Sequence, residues 1–163
     1  MRYLIVSDTH QVHLNLLEVL EKNYPVDGMI HLGDAQGYEE QIENWAGDCA
    51  FYIVRGNNDT HLHLPLEQEI MIAGKKVWIT HGHRYHVYAG IEKLKKRAME
   101  MGVEVVLFGH THEPFFQVSE NITFFNPGSI SRPRQHNRIP TYGLLEIDEQ
   151  GDWHWHLCEI KKK

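Results

Sequence analysis

Five short apolar runs in this chain end directly in side chains that can bind metal ions. The last run, Val103–Phe108, is followed at once by Gly109-His110-Thr111-His112. A short buried run of this kind predicts a strand, and strand ends held by one sheet can converge. We therefore expect these side chains to meet at one point. The seven ligand-type residues at the five strand ends are Asp8, His10, Asp34, Asn57, His81, His110 and His112.

The chemistry of this set indicates transition metals. It contains two carboxylates, one amide oxygen and four imidazoles, a mixture that suits Mn, Fe, Zn, Co or Ni better than Mg or Ca. No cysteine is included, which argues against a closed structural zinc site. Seven ligands are too many for one ion with an open position, but they suit two ions that share a carboxylate. Two ions ~3.5–4 Å apart can generate a hydroxide and hold a phosphoryl group.

The elements that must position these residues begin with alternating strands and helices. Hydrophobic periodicity and Pro25 predict five elements that form a βαβαβ pattern, which is typical of a parallel sheet with right-handed crossovers. They are a strand at Tyr3–Ser7, a helix from Leu14 to about Lys22, a strand at Met29–Leu32, a helix at Tyr38–Trp45 and a strand at Ala50–Val54.

The second half of the chain is richer in strands. Glu67–Ile72 and Lys76–Thr80 predict a hairpin. Apolar residues from Val87 to Met101 predict the longest helix, which Gly102 caps. With roughly eight or nine strands against three helices, two stacked mixed sheets with outer helices fit best, in one domain spanning residues 1–163. The remaining predicted strands are Val103–Phe108, Phe115–Val118, Ile122–Phe125, Tyr142–Ile147 and Trp153–Ile160.

Composition narrows the class of protein. The hydrophobic fraction of 42% and the charged fraction of 23% are typical of a globular protein. The net charge of −6 argues against nucleic acid as a partner. No apolar run is long enough to cross a bilayer or to form a signal peptide, so we expect a cytoplasmic protein without membrane contact. Cys49 and Cys158 are predicted to be free thiols, and a homo-oligomer remains open.

Taken together, the motifs resemble a known family. Asp8-x-His10, Gly33-Asp34, Gly56-Asn57-x-Asp59, His81 and Gly109-His110-x-His112 resemble the motif series of the calcineurin-like metallophosphoesterases. Their order and the chain length are similar to those of the small YfcE-like phosphodiesterase group, as is Asn126-Pro127-Gly128-Ser129. The resemblance runs from Met1 to about Ile147.

The resemblance implies a four-layer αββα sandwich of two mixed sheets flanked by helices. It also implies two divalent transition-metal ions, most often manganese, with iron, nickel, zinc or cobalt as alternatives. A hydroxide bridging the ions would attack a small phosphoester substrate. By the resemblance, one ion is held by Asp8, His10 and His112, the other by Asn57, His81 and His110, and Asp34 bridges them.

One position departs from the family pattern. The usual Gly-Asn-His-Asp/Glu motif appears here as Gly56-Asn57-Asn58-Asp59. The family's histidine can donate a proton near the leaving group, whereas Asn58 can donate only a hydrogen bond. We therefore expect substrates with good leaving groups, with phosphodiesters ahead of monoesters. Asp59 is expected to orient a metal-binding histidine.

Several nearby residues keep two interpretations. His83 and Asn58 could contact the phosphoryl oxygens, although His83 could equally be an ordinary loop histidine. Arg55 could bind phosphate or could be a charged strand end. His31 is expected to support the site from within its strand, and His154 and His156 are expected on one strand face without chemistry. The arginine-rich Ser131–Pro140 loop could bind an anionic substrate or be solvated.

Two other functions compete with a phosphoesterase. The first is a non-catalytic scaffold or interaction protein, like the retromer subunit that shares this fold. That route normally erodes the metal ligands, and the set is complete here. The second is a DNA nuclease of the same superfamily, against which the acidic charge argues.

Overall fold

The structure is a computed structural model that describes residues 1–161, and within them ten strands and three α-helices. In chain order these are β1 (Arg2–Val6), α1 (Leu14–Asn23), β2 (Gly28–His31), α2 (Glu39–Ala46), β3 (Ala50–Ile53), β4 (Glu67–Ile72), β5 (Lys75–Thr80), α3 (Glu92–Met101), β6 (Val105–Leu107), β7 (Pro114–Ser119), β8 (Ile122–Pro127), β9 (Thr141–Ile147) and β10 (Trp153–Glu159).

The first sheet has the strand order β10-β9-β1-β2-β3. β1, β2 and β3 are parallel, and β9 runs antiparallel to β1. Val6 pairs with His31, and His31 pairs with Ile53, so the three parallel strands end side by side. The loops that follow them therefore begin at the same edge, as the βαβαβ pattern predicts.

The second sheet has the strand order β4-β5-β6-β8-β7. β5, β6 and β8 are parallel, while β4 and β7 pair antiparallel to their neighbours. Ile79 pairs with Leu107, and Leu107 pairs with Phe125, so these strand ends also align. Each sheet is mixed, as the sequence predicted.

The buried side chains define four layers. Successive residues of a strand point to opposite faces, and β1 shows this directly. Leu4 packs beneath α1 and α2, whereas Ile5 packs between the two sheets against Ile79 and Phe125. A third cluster buries α3 against the outer face of the second sheet. The predicted αββα sandwich is confirmed.

The predicted helix from Val87 to Met101 is wrong in its first turn. Val87–Ala89 forms a separate 3₁₀ turn, and the α-helix begins at Glu92. Gly90 separates the two with a φ of +127°, which no helix contains. The helix α3 has ten residues, the same length as α1, so it shares the greatest length rather than exceeding the other helices as predicted. Gly102 caps it as predicted, and its N–H bonds to carbonyls in the last turn.

Two composition-based expectations can be compared with the structure. Cys49 and Cys158 are both free and partly buried. Among the helices of residues 1–161, none has the length and apolar character that crossing a membrane requires.

Candidate metal centre

The loops after β1, β2 and β6 bring four of the predicted ligands into one buried cluster. Each of these residues offers a ligand atom, and the four atoms all lie within 4.8 Å of one another. All four residues are buried, so little water can shield their charges from each other. The cluster consists of Asp8, His10, Asp34 and His112.

The other three predicted ligands adjoin this cluster. His81 Nε2 lies 3.5 Å from Asp34 Oδ2 and 3.1 Å from Asn57 Oδ1. The imidazole ring of His110 lies 5.0 Å from that of His81, centroid to centroid. Asp34 Oδ2 is also 3.7 Å from His10 Nε2, so this carboxylate lies between the two groups of ligands. The structure thus brings together all seven residues singled out from the sequence.

Five of these residues have a left-handed backbone, which side chains other than glycine seldom adopt. This conformation turns the chain sharply at the strand end, so that each side chain points back across the edge of the sheet. Such residues cluster at functional sites because the surrounding structure must hold them there. The φ angles are +57° at Asp8, +45° at His10, +61° at Asp34, +70° at His110 and +61° at His112.

Two glycines make room for this packing. A Cβ atom at Gly56 would overlap Asp34 Oδ1, and one at Gly109 would overlap Ser7 Oγ. Both positions therefore need glycine because a neighbouring group fills the space of the side chain, as expected from the close approach of backbone to site.

Three of the histidines are oriented by oxygen acceptors. His81 Nδ1 lies 2.6 Å from the Leu32 carbonyl oxygen, and His112 Nδ1 lies 2.7 Å from that of Arg132. His10 Nδ1 lies 3.2 Å from Gln36 Oε1. Because these oxygens only accept hydrogen bonds, we assign the proton to each Nδ1. The Nε2 atoms then direct lone pairs into the centre, as in metal-binding histidines.

The centre is consequently rich in lone pairs and poor in protons. His10 Nε2 and His112 Nε2 are 3.0 Å apart, and His112 Nε2 is 3.1 Å from Asp8 Oδ1. Asp8 Oδ2 accepts hydrogen bonds from Ser7 Oγ and the His110 N–H, while the buried Asp8 Oδ1 has no hydrogen-bond donor within residues 1–161. A buried carboxylate oxygen without a donor is costly, and a divalent cation would satisfy it. These residues fit a metal ion.

The charge states agree with this fit. Burial raises the pKa of the Asp8 carboxyl, but the neighbouring His10, His112 and His81 together outweigh it, so the pKa lies well below the ordinary range. Burial, with the neighbouring His81, lowers the pKa of His110 to about 4. At neutral pH the site therefore offers an ionised carboxylate and a neutral imidazole, which are the forms that bind metals.

Asp59 has a role that the sequence argument missed. Its Oδ2 accepts the Asp34 N–H at 2.8 Å and the Gly56 N–H at 2.7 Å, and its Oδ1 accepts the Gln36 N–H at 2.6 Å. Asp59 therefore joins the loops after β2 and β3. The expectation that it orients a histidine is wrong, because its oxygens are taken up by backbone amides.

Asn58 contacts the central carboxylate. Its backbone N–H donates to Asp34 Oδ1 at 2.8 Å, and its side-chain Nδ2 donates to Asp34 Oδ2 at 2.7 Å. Asn58 also lines an open cleft of about 420 Å³. The sequence predicted a contact with substrate at this position, and the structure adds a second contact that holds Asp34 in place.

His83 and Arg55 lie at the margin of the site. The His83 ring is 5.4 Å from that of His81, and its buried Nδ1 has no partner within residues 1–161. Burial, followed by the nearby His81, lowers the pKa of His83. The Arg55 N–H bonds to the Pro65 carbonyl oxygen, and Arg55 does not line the cleft in the described part of the chain.

His31 supports the site from beneath. It is fully buried, its Nδ1 accepts the Gly33 N–H at 3.2 Å, and its Nε2 is 3.2 Å from Thr9 Oγ1. Burial lowers its pKa to about 4, so it is neutral at physiological pH. This supporting position agrees with the sequence argument.

The Asn126–Ser129 stretch holds two of the loops that carry predicted ligands, those after β1 and β6. Ser129 Oγ donates to the Asp8 carbonyl oxygen at 2.9 Å, and Asn126 Nδ2 donates to that of Gly109 at 3.0 Å. The family resemblance marked this stretch without giving it a role. Only the folded chain shows the role, because these contacts join residues more than a hundred positions apart or on neighbouring strands.

With the geometry established, comparison with known proteins identifies the family. A model of the calcineurin-like phosphoesterase superfamily domain matches residues 1–150. The chain therefore belongs to this superfamily of metallophosphoesterases, as the motifs predicted. It is 30% identical over 151 residues to a probable metallophosphoesterase, YsnB, of Bacillus subtilis, covering 91% of this chain and 85% of the relative.

Solved structures agree. A predicted phosphoesterase from Streptococcus pneumoniae superposes with a TM-score of 0.79 at 26% identity, covering 98% of this chain and 97% of its own. A novel archaeal phosphodiesterase superposes with a TM-score of 0.74 at 26% identity, and the match covers 97% of this chain and 100% of the phosphodiesterase. Vps29 from Entamoeba histolytica, complexed with zinc, superposes with a TM-score of 0.76 at 20% identity, and the match covers 98% of this chain and 99% of Vps29. At this level of identity the likeness shows the fold alone.

Proposed function

We propose that this protein is a binuclear metal-dependent phosphoesterase that acts on phosphodiesters. The observation that supports this most directly is the convergence of Asp8, His10 and His112. The Nε2 atoms of the two histidines lie 3.0 Å apart and the buried Asp8 Oδ1 is 3.1 Å from His112 Nε2, with the ring protons assigned to the outward-facing Nδ1 atoms. A divalent cation would stabilise such an arrangement in a buried setting. Membership of the metallophosphoesterase family supplies the reaction class.

The ligands divide into two groups around one carboxylate. We assign one ion to Asp8, His10 and His112 and the other to Asn57, His81 and His110, with Asp34 shared between them. The position of Asp34 Oδ2, 3.7 Å from His10 Nε2 and 3.5 Å from His81 Nε2, supports the shared role. Two bound ions would supply an activated water and positive charge opposite the phosphoryl oxygens.

The chain's own residues then position the substrate. Asn58 fixes Asp34 through two hydrogen bonds, and its side chain borders the cleft where a phosphoryl group would enter. His83, whose ring lies 5.4 Å from that of His81, and Arg55 are proposed as further substrate contacts. Because Asn58 has no proton to give to a leaving group, we expect aryl and nucleotide diesters to react faster than alkyl monoesters.

Several finer assignments belong to the same proposal. We propose manganese as the native metal, with iron, nickel, zinc or cobalt as alternatives that the mixed nitrogen and oxygen ligands also accept. A single domain spanning residues 1–163, a cytoplasmic location and a small-molecule substrate rather than nucleic acid remain predictions. Homo-oligomerisation remains open.

The alternative is a non-catalytic scaffold. Its support is the fold likeness to the vacuolar protein sorting protein Vps29, seen at 17–22% identity. A scaffold has no need to keep seven ligands, five of them in left-handed backbone, around one centre. We therefore favour the enzyme.

The enzyme and scaffold proposals are separated by one experiment. Purified protein is analysed for bound metal and assayed with manganese on bis(p-nitrophenyl) phosphate and on p-nitrophenyl phosphate. We expect about two ions per chain and faster turnover of the diester. Asp34→Ala should abolish activity and paired metal binding, because it removes the shared ligand, whereas the exposed Asp48→Ala should change neither.

Two results would contradict the proposal. The first is a folded protein without metal and without turnover of either ester, which would favour the scaffold. The second is near-normal turnover in Asp34→Ala, which would refute the ligand assignment.

A further inference from the structure

A group of arginines forms one wall of the cleft above the metal centre. The cleft of about 420 Å³ is bordered by His10, His112 and Asn58 and, from the loop after β8, by three guanidinium-bearing residues and Pro133. Its size is within the range of ~300–1,000 Å³ that small-molecule sites occupy. We call Arg132, Arg134 and Arg138 the arginine wall.

The arginine wall lacks carboxylate partners. Elsewhere, Arg2 pairs with Glu146 at 3.1 Å, Arg84 with Glu67 at 3.4 Å and Arg97 with Glu100 at 3.5 Å. Within residues 1–161, the wall arginines have no carboxylate oxygen within 4.0 Å. This is unexpected in a chain with a net charge of −6, where acidic side chains outnumber basic ones. All three wall arginines are exposed and line the same cleft, so their positive charges are open to an anion that enters it.

The loop that carries the wall is fixed to the metal-binding loops. The Arg132 carbonyl oxygen accepts His112 Nδ1 at 2.7 Å, and the Arg134 N–H donates to the His112 carbonyl oxygen at 3.0 Å. Ser131 Oγ donates to the Thr9 carbonyl oxygen at 2.7 Å. These hydrogen bonds fix the position of the arginine wall relative to the predicted metal ligands, so the loop is a structural part of the site.

The individual arginines differ in what holds them. Arg132 reaches the His10 carbonyl oxygen at 3.5 Å, and Arg134 contacts the hydroxyl and the ring of Tyr88. Arg138 is exposed and has no side-chain hydrogen bond in the described part of the chain. Arg138 is therefore the member of the wall most available to a ligand.

We infer that the arginine wall binds a second anionic group of the substrate, so that the substrate class is a phosphoester with a further phosphate. This inference rests on the proposed function. The metal centre takes the phosphoryl group that reacts, and it needs no arginine for that. Guanidinium groups pair with phosphate through two parallel hydrogen bonds, which suits them to a second phosphate across the cleft.

The test uses two substrates that share the same scissile bond. Thymidine 5′-(p-nitrophenyl phosphate) and its 3′-phosphorylated derivative both release p-nitrophenolate, and only the second has a further phosphate. We expect the protein to have the higher kcat/KM for the derivative. In Arg138→Gln this preference should fall about tenfold, the size of one charge-assisted hydrogen bond. Arg97→Gln, which removes a paired arginine on α3, should keep the preference.

Binding is measured separately by calorimetry with thymidine 3′,5′-bisphosphate and thymidine 5′-monophosphate. The bisphosphate should bind more tightly than the monophosphate. In Arg138→Gln the ratio of the two dissociation constants should fall about tenfold, while the melting temperature of the variant stays at the wild-type value. Binding preference without turnover would support the wall and refute the proposed function. Turnover without any preference for the second phosphate, in kinetics and in binding, would refute the wall and leave the proposed function intact.

Discussion

Two of the four His-x-His pairs in this chain make a useful comparison, because they have the same spacing but different surroundings. His110 and His112 follow the end of β6 and have left-handed backbone. His154 and His156 lie within β10, where the extended backbone presents both side chains to solvent on one face. Spacing alone therefore does not distinguish a metal ligand from a surface histidine.

The partners of the two ring nitrogens make the distinction. His112 gives its Nδ1 proton to a backbone carbonyl and leaves Nε2 facing other lone pairs in a buried space. On β10, His154 Nε2 pairs with Asp148 Oδ2 at 2.9 Å and His156 Nε2 pairs with Glu146 Oε2 at 3.3 Å. His112 Nε2 also has a carboxylate neighbour, Asp8 Oδ1 at 3.1 Å, but this contact is buried and the ring proton is assigned to Nδ1, whereas the contacts of His154 and His156 are exposed to water and need no metal.

Matched substitutions in the two pairs should show the largest contrast. We expect His112→Ala to lower diesterase kcat/KM by more than about 100-fold and to reduce bound metal, because it removes a ligand. His156→Ala should leave both within a factor of about two, since exposed substitutions rarely matter. Metal analysis and the bis(p-nitrophenyl) phosphate assay provide the measurement. An equal loss in both variants would contradict the distinction drawn from the ring partners.

A smaller effect is expected from the residue that orients His10. Gln36 Oε1 lies 3.2 Å from His10 Nδ1, and Gln36→Ala would free the imidazole to rotate. Losing such a supporting contact typically weakens metal binding about 10- to 100-fold. Titration of metal-free protein with manganese would measure the affinity. Gln150→Ala, in the exposed turn before β10, is the control. Unchanged affinity in Gln36→Ala would mean that packing, rather than this contact, holds His10.

The smallest effect concerns the exposed contact between His154 and Asp148. The hydrogen bond to Asp148 raises the pKa of His154, and the same contact lowers the pKa of Asp148. His154 therefore contributes its full share to the free energy of unfolding below the unfolded-state pKa of about 6.5. This contribution is lost as the pH rises through the raised pKa of the folded state. Asp148→Asn should return the pKa of His154 towards about 6.5, as NMR titration of the ring would show. A pKa that stayed raised would assign the shift to Glu146 or Asp152 instead.

Much of this architecture could be predicted from the sequence because the signals were local. Short apolar runs such as Tyr3–Val6, followed by ligand-type residues, gave both the parallel strands and the edge where their ends meet. The seven predicted ligands are together in the structure for the same reason. Gly102 was also predictable, because a glycine after a helical repeat is a common helix cap.

The features that were missed depend on contacts between distant segments. Asp59 could not be assigned to the backbone amides of Asp34 and Gln36 before the loops after β2 and β3 were known to adjoin. The break at Gly90 was hidden because Val87 and Ile91 pack on the same cluster as α3 and so continue its apolar period. For the arginine-rich loop the sequence left anion binding and a solvated loop both open, and only the fold places the arginine wall beside His10 and His112.

The left-handed backbone at five of the ligands also concerns the evolution of this fold. Each such residue opposes folding by on the order of 1–3 kcal/mol, against a total stability of about 5–15 kcal/mol for a typical domain. A descendant that no longer needed the chemistry could place glycine or asparagine at these positions and fold more stably. Activity and robustness are therefore opposed at this edge of the sandwich, and loss of catalysis would be the easier direction of change.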